Sequence, residues 1–328
     1  MTKVGVFVPQ ATFYPDMPPT MRPTQWYQLT LQVAREAEQL GFDSIWAWDF
    51  TFANLQPLAQ SYTRVTGSSL EPWILLSSLV NETKHIRLGQ MVSCNTYRHP
   101  SLLSTMATTL DVASNGRLEL GIGAGWNTQY GEFGLTFPKS SARIKMVEET
   151  IQIIKLLWTK DRVNFKGKYY TLQDAHGIMK PVQKPHPPIL VGGGQDGMLR
   201  VIAKHADKFN YFCTLEEYSR KIEKLRKYSE DFGRRFDDIE KTLTADIVIG
   251  KDQQEVEEKL HKFKCQDLLR ADYEGFSKRR ITGTPDQCAD ILKRFTDLGI
   301  SEFALYFPDA SDLRPLQLFA NRVLPSIR

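Results

Sequence analysis

The chain has 328 residues, 41% of them hydrophobic, which is enough to bury the core of one large α/β domain or two smaller ones and excludes a disordered chain. Lys plus Arg total 42 against 38 for Asp plus Glu, and the basic residues are spread out or mixed with glutamate, as in Lys221 to Arg226, so the formal charge of +4 leaves no nucleic-acid footprint. Four scattered cysteines, Cys94, Cys213, Cys265 and Cys288, make no CxxC pair; with only a short apolar run at Val4 to Val8 and no membrane-length stretch, the expectation is a soluble, cytosolic, reduced protein without a disulfide framework.

Val4 to Pro9 reads as a buried first strand, short, β-branched and stopped by proline. Thr24 then caps a helix whose apolar face is Trp26, Leu29, Val33, Ala37 and Leu40, with Gly41 just past its end. The strand-loop-helix unit recurs as Asp43 to Trp48 with Trp73 to Val80, and as Ile86 to Ser93 with Ser101 to Ala113. Leu118, Leu120 and Ile122 alternate with Glu119, Gly121 and Gly123 in a fourth strand, followed by a helix through Ile144, Val147, Ile151, Ile154 and Leu157. The pattern breaks between Thr159 and Pro188, where Arg162 to Leu172 resembles a hairpin around Lys166-Gly167-Lys168. Strands resume at Ile189 to Gly192, Lys208 to Phe212, Leu243 to Ile249 and Glu302 to Phe307, each with a helix behind it; Thr284-Pro285-Asp286-Gln287 is a capping box with proline at the first helical position.

Eight strands alternating with helices predict an α/β fold of the (β/α)8 TIM-barrel type. The expected organisation is a single domain over 1–328 with insertions at about 50–71, 159–188 and 270–283. A barrel places its site where the strands end, so the candidates are Pro9-Gln10, Trp48-Asp49-Phe50, Ser93 to His99, Gly123 to Asn127, Gly192 to Gln195, Cys213-Thr214 and Phe307-Pro308-Asp309. The loops after strands two and four, being the longest, are the expected substrate walls.

Each candidate has a chemical reading and a structural one. Gly123-Ala124-Gly125 lets a ligand reach main-chain N–H groups, with Trp126 and Asn127 offering a flat apolar surface and an amide; the other reading is an ordinary strand-to-helix turn. Gly192-Gly193-Gly194-Gln195 runs into a helix start, a phosphate site or a plain glycine turn. Asp49 can accept a hydrogen bond from a ring N–H or act as an acid or base, or it caps a loop. His99 stands beside the helix proline Pro100, which favours a structural use.

LGQMVSCNTYRHP, DVASNGRLELGIGAGWNTQYGEFGLTFP, KPVQKPHPPILVGGG and ITGTPDQCADIL, in order over nearly the whole chain, resemble the signature segments of the bacterial-luciferase-like monooxygenase superfamily, and within it those of coenzyme F420-dependent oxidoreductases. The resemblance implies a TIM barrel, usually dimeric, that binds a flavin or deazaflavin at its mouth. It assigns Asp49 to the ring or its hydroxyl groups, Ser93 and Asn95 to the polar edge, Asn127 to the ring, and Gly192, Gly193, Gly194 and Gln195 to the phosphate loop. It also implies a bulge with a non-prolyl cis peptide near Gln90-Met91, pressing on one ring face. Many F420-dependent relatives have Asp-His after strand two where this chain has Asp49-Phe50, so Asp49 or His99 takes over proton transfer, or the protein chiefly positions its reactants. Lys278, Arg279 and Arg280 fall where the family has a mobile lid.

The activity implied is hydride transfer between the deazaflavin C5 of F420 and a small organic substrate. Kept beside it are an FMN-dependent two-component monooxygenase, served by a separate reductase and consuming oxygen, and a non-catalytic binder of the same cofactors. A metal-dependent hydrolase is disfavoured by the lack of histidines at ligand spacing, and a Schiff-base aldolase by the lack of a strand-end lysine other than Lys251.

Overall fold

The computed structural model describes residues 1–10, 21–49, 69–125, 133–265 and 278–328. In chain order its elements are β1 (Lys3–Phe7), α1 (Pro23–Gln39), β2 (Ser44–Ala47), α2 (Pro72–Leu79), β3 (Arg87–Cys94), α3 (Pro100–Ala113), β4 (Leu118–Gly123) and α4 (Ser140–Thr159). After the hairpin β5 (Arg162–Lys166) and β6 (Thr171–His176) come β7 (Ile189–Gly192), α5 (Asp196–His205), β8 (Lys208–Tyr211), α6 (Leu215–Asp231), β9 (Glu240–Ile249) and α7 (Gln253–Cys265). The chain closes with β10 (Ile281–Gly283), α8 (Pro285–Thr296), β11 (Ile300–Tyr306), α9 (Arg314–Arg322) and α10 (Leu324–Ile327). The fold is the (β/α)8 TIM barrel, with the β5–β6 hairpin where the sequence pattern breaks.

Two compact units make up the chain. In the first, formed by Met1–Pro72, Tyr211–Ser219 and Lys241–Arg328, β1 lies between β11 and β2, and β9 between β10 and β11, all parallel. Its strands are near-continuous apolar runs because helices cover them, as in Val4, Val6 and Phe7 of β1 and Phe303, Ala304 and Leu305 of β11. In the second, Trp73–Asn210 with Arg220–Glu240, the parallel order is β3-β4-β7-β8. There α3 packs on α4, joined by the indole N–H of Trp158 donating to Thr108 Oγ1 at 2.9 Å.

The start of the second unit's strands is closed by charge. Glu119, 3% exposed, pairs with Arg87 and with Lys208 at 3.0 Å, and Lys208 reaches Glu240 at 3.3 Å. Arg87 also donates to the Leu118 carbonyl and to Gln183 Oε1, and Gln183 Nε2 donates to Asp111 Oδ1. Asp111 Oδ2 accepts from the Val182 and Gln183 N–H groups, so the proline-rich segment leading to β7 is tied beneath the sheet.

Two expectations need correction. Thr24 does not cap α1: Arg22 is the N-cap and Pro23 takes the first helical position, where a missing N–H costs nothing. β10 was not expected, because three residues are too few to show a period of two; it extends the sheet beside Ile247 to Ile249. The hairpin is antiparallel as expected, with Val163 and Leu172 packed against Ile153 and Leu157 of α4.

Candidate functional site

In the second unit β3, β4 and β7 end side by side, and the polar side chains there are built on a break in β3. The register against β4 shifts between Gln90 and Ser93, and the peptide bond from Met91 to Val92 is cis, one residue beyond the Gln90-Met91 position expected. Val92 at this bulge lies against glycines of β4, its neighbour, and of β7, the strand beyond it. A Cβ at Gly123 would stand 2.5 Å from Val92 Cγ2, one at Gly192 3.3 Å from Val92 Cγ1, and one at Gly121 2.2 Å from the Gln90 carbonyl oxygen. Glycine is therefore required at Gly121 and Gly123 for close approach.

Three polar side chains on this stretch are buried: Gln90 and Ser93 at 0% exposure and Asn95 at 1%. Ser93 Oγ donates to Gln90 Oε1, while Gln90 Nε2 has no hydrogen-bond partner among the described residues. The Asn95 backbone N–H donates to the Gly123 carbonyl at 3.0 Å, and its Nδ2 donates to the Tyr170 hydroxyl at 3.4 Å; its Oδ1 has no partner among the described residues. Leaving a buried amide atom unpaired costs about 1–3 kcal/mol. A donor and an acceptor kept unpaired five residues apart fit a ligand edge that offers both.

His99 is exposed and caps α3, its Nδ1 accepting from the Ser101 N–H at 3.2 Å. Its ring meets Tyr170 edge-on, 5.3 Å between centroids. Asn95 and His99 are thus brought together through Tyr170, while Ser93 is joined to Gln90. Met91 is buried beside them, 4% exposed. Burial pushes the Tyr170 phenol up from its ordinary range, keeping it a neutral hydroxyl.

The loop leaving β4 is held by Arg143 of α4, whose Nε donates to the Ala124 carbonyl at 2.8 Å and Nη1 to the Pro138 carbonyl, with the guanidinium 3.7 Å over the Phe137 ring. Trp126 and Asn127 fall outside the described residues. After β7, Gly193 has φ +131, in the region that favours glycine, and donates to the Asn210 carbonyl at 3.1 Å; Gly194 is buried and Gln195 is the exposed N-cap of α5. Asp196 in the first turn is paired with Lys224 at 2.8 Å.

Asp49 belongs to the first unit, 8% exposed at the end of β2. The turn beside it is organised by Gln10, fully buried, whose Nε2 donates to the Trp48 carbonyl at 2.7 Å and whose Oε1 accepts from the Trp48 N–H. Phe7 and Trp48 stack at 3.8 Å. Elsewhere in this unit Lys259 bridges Asp309 at 3.0 Å and the Ile249 carbonyl at 2.7 Å, and Arg279 stands 3.7 Å from Glu217. Asp246 on β9 is buried, and that burial raises its carboxyl to about 6 against the opposing pull of Arg280. Phe50 and the segment 266–277 lie outside the described residues. Among the described residues no group of three or more His, Cys, Asp or Glu could hold a metal, and no helix is long and apolar enough to cross a membrane.

Residues 2–279 match the family model described as luciferase-like monooxygenase. The chain belongs to the luciferase-like monooxygenase family. It is 27% identical to the F420-dependent glucose-6-phosphate dehydrogenase of Amycolatopsis mediterranei, over 91% of this chain and 94% of that one. Among solved structures it resembles an F420-dependent secondary alcohol dehydrogenase in complex with an F420-acetone adduct, at 20% identity and a TM-score of 0.79 over 100% of this chain and 99% of that one. It also resembles the oxygenating constituent of 3,6-diketocamphane monooxygenase from Pseudomonas putida in complex with FMN, at 19% identity and a TM-score of 0.78 over 100% and 99%. These structural likenesses establish the fold. Within this luciferase-like chain, sequence reasoning missed Gln90, Val92, Tyr170 and Arg143. Only Gln90 left a signal, a glutamine set between the apolar residues Leu88 and Met91 of β3.

Proposed function

We propose that this chain is an oxidoreductase that binds coenzyme F420 and transfers a hydride between the deazaflavin C5 and a small organic substrate. The observation that carries the reading is the pair of buried, unpaired amide atoms, Gln90 Nε2 and Asn95 Oδ1, on the bulged end of β3. A deazaflavin ring has N–H and C=O groups along one edge, so a donor and an acceptor held out of water suit it. Relatives named for F420 dependence, aligned over about nine-tenths of the chain, support the choice of cofactor.

When bound, the deazaflavin supplies a two-electron hydride carrier at C5. The chain's own residues do the rest. Ser93, Gln90 and Asn95 hold the ring's polar edge; Met91 and Val92, backed by Gly121, Gly123 and Gly192, form the apolar support for one face; Gly193, Gly194 and Gln195 receive the phosphate. Asn127 is carried over with them as a ring contact. Asp49 is the stronger candidate for holding the substrate proton, because the Nδ1 of His99 is already occupied as a helix cap. His99 keeps only its Nε2 for such a role. The same reading carries a cytosolic homodimer with one barrel domain per chain.

FMN is the second cofactor considered, favoured by the FMN-bound likeness and implying a separate reductase. The deciding experiment titrates the purified protein with F420 and with FMN, oxidised and reduced, following tryptophan and cofactor fluorescence. Micromolar F420 binding with FMN at least about tenfold weaker, and no oxygen uptake, is the expected result. The opposite preference, with oxygen consumed when a flavin reductase is added, refutes it.

A further inference from the structure

The insertion hairpin touches the proposed ring site, and its tip is pinned. Glu149 of α4 accepts three consecutive backbone N–H groups, from Lys168 at 2.7 Å and from Tyr169 and Tyr170 at 3.0 Å each. Gly167 closes the turn by donating to the Tyr170 carbonyl at 2.9 Å, and a Cβ there would stand 2.3 Å from Glu149 Oε2, so the carboxylate fills the concavity of the turn. Successive N–H groups converging on an anion form a rigid nest. The pinned residue is Tyr170. Its hydroxyl accepts from Asn95 Nδ2 and its ring is braced edge-on by His99.

An amide has two ends, and a partner for one decides where the other points. With Nδ2 committed to Tyr170, Asn95 presents Oδ1, the buried atom that lacks a partner among the described residues. We propose that Tyr170, set by Glu149, is a positioning residue that fixes the Asn95 amide for the bound ring. The inference rests on the reading that Asn95 meets the ring edge. It assigns the β5–β6 insertion a function: to carry a second support to the site from outside the strand ends.

The test is a double-mutant cycle on cofactor binding with Tyr170→Phe, Asn95→Ala and the pair, each titrated with F420 and with FMN and each melted without cofactor. Tyr170→Phe keeps the ring against His99 but leaves Asn95 Nδ2 unpaired, so the melting temperature should fall by only a few degrees while affinity for whichever ring the wild type binds falls roughly three- to tenfold. In the Asn95→Ala background the same change should have less than about a twofold effect, because the group it positions is gone. Glu149→Gln, which weakens the nest, should act in the same direction and likewise lose its effect with Asn95→Ala. Wild-type affinity in Tyr170→Phe, or a loss that persists undiminished without Asn95, overturns the inference. If FMN binds in place of F420 the cofactor assignment fails while the cycle, run with FMN, still decides the role of Tyr170; if neither ring binds, both fall.

Discussion

Asp246 should make the protein less stable as pH rises, the reverse of an ordinary carboxylate. It lies within β9, 8% exposed, opposite Tyr306 of β11, and one residue before the Ile247 to Ile249 stretch that pairs β10. The parallel register of β10 brings Arg280, also 8% exposed, alongside. Burial raises the folded-state carboxyl from 3.8 to about 6, with Arg280 opposing it. Below the unfolded value both states hold the proton and nothing is lost. Between the two values the unfolded chain ionises while the folded chain keeps its proton, so stability falls with rising pH and levels off above about 6. About two pKa units at 1.36 kcal/mol each come to roughly 3 kcal/mol, of which about 1 is already lost at about pH 4.5. Asp246→Asn removes the titration. In urea unfolding at several pH values, the variant should therefore gain about 2 kcal/mol on the wild type between about pH 4.5 and 7.5, whatever constant offset the altered contact with Arg280 adds. A difference that is flat across this range, or that moves in favour of the wild type with rising pH, would refute the reasoning. A carboxylate retained at such a cost near the mouth end of a barrel strand is a candidate for function.

Two further outcomes follow from packing and charge. Lys208→Met leaves Glu119, 3% exposed, with the Arg87 ion pair in place, and should cost about 1–3 kcal/mol in urea unfolding, whereas adding Glu119→Gln should recover part of that loss. Gly121→Ala and Gly123→Ala should each cost about 1–3 kcal/mol by overpacking, but only the second should be relieved by Val92→Ala. The obstacle at Gly123 is a Val92 methyl, while at Gly121 it is the Gln90 backbone carbonyl; equal rescue of both would show that the bulge does not set these glycines.

The helices were legible because most of them bury one side, and the strands because short apolar runs, buried on both faces, stand between turn signals. β4 alternated and formed; the α4 stripe Val147, Ile151, Ile154 and Leu157 is buried as read. The hairpin was legible from a glycine between basic residues. Contacts across sequence were not. Tyr170 reaches Asn95 over 75 positions, and nothing in either neighbourhood announces the other. Arg143 looked like one more charge at a helix start, although its side chain is committed to the carbonyls of Ala124 and Pro138. The bulge was placed one residue early, since resemblance locates a segment while register is fixed by Val92 meeting Gly123 and Gly192.

The two ends of β3 show how one strand serves stability and chemistry separately. At its start, Arg87 has partners in Glu119, the Leu118 carbonyl and Gln183, and the acidic groups around it are met by Lys208 or by backbone N–H donors. A satisfied buried network rewards one arrangement and penalises every other, so it fixes the strand's register and gives nothing to a ligand. At its bulge and just past its end, Gln90 and Asn95 are buried equally well, but each keeps one amide atom without a partner among the described residues. A chain selected for stability alone would replace them with apolar residues of similar size, as β4 does with Leu120 opposite Gln90. Their presence beside Leu88, Met91 and Val92 is accounted for if the missing partners belong to a bound ring. It also explains why the support for that site comes from Tyr170 on an insertion: a hairpin anchored on α4 can be adjusted without disturbing the charge network that holds β3 in place.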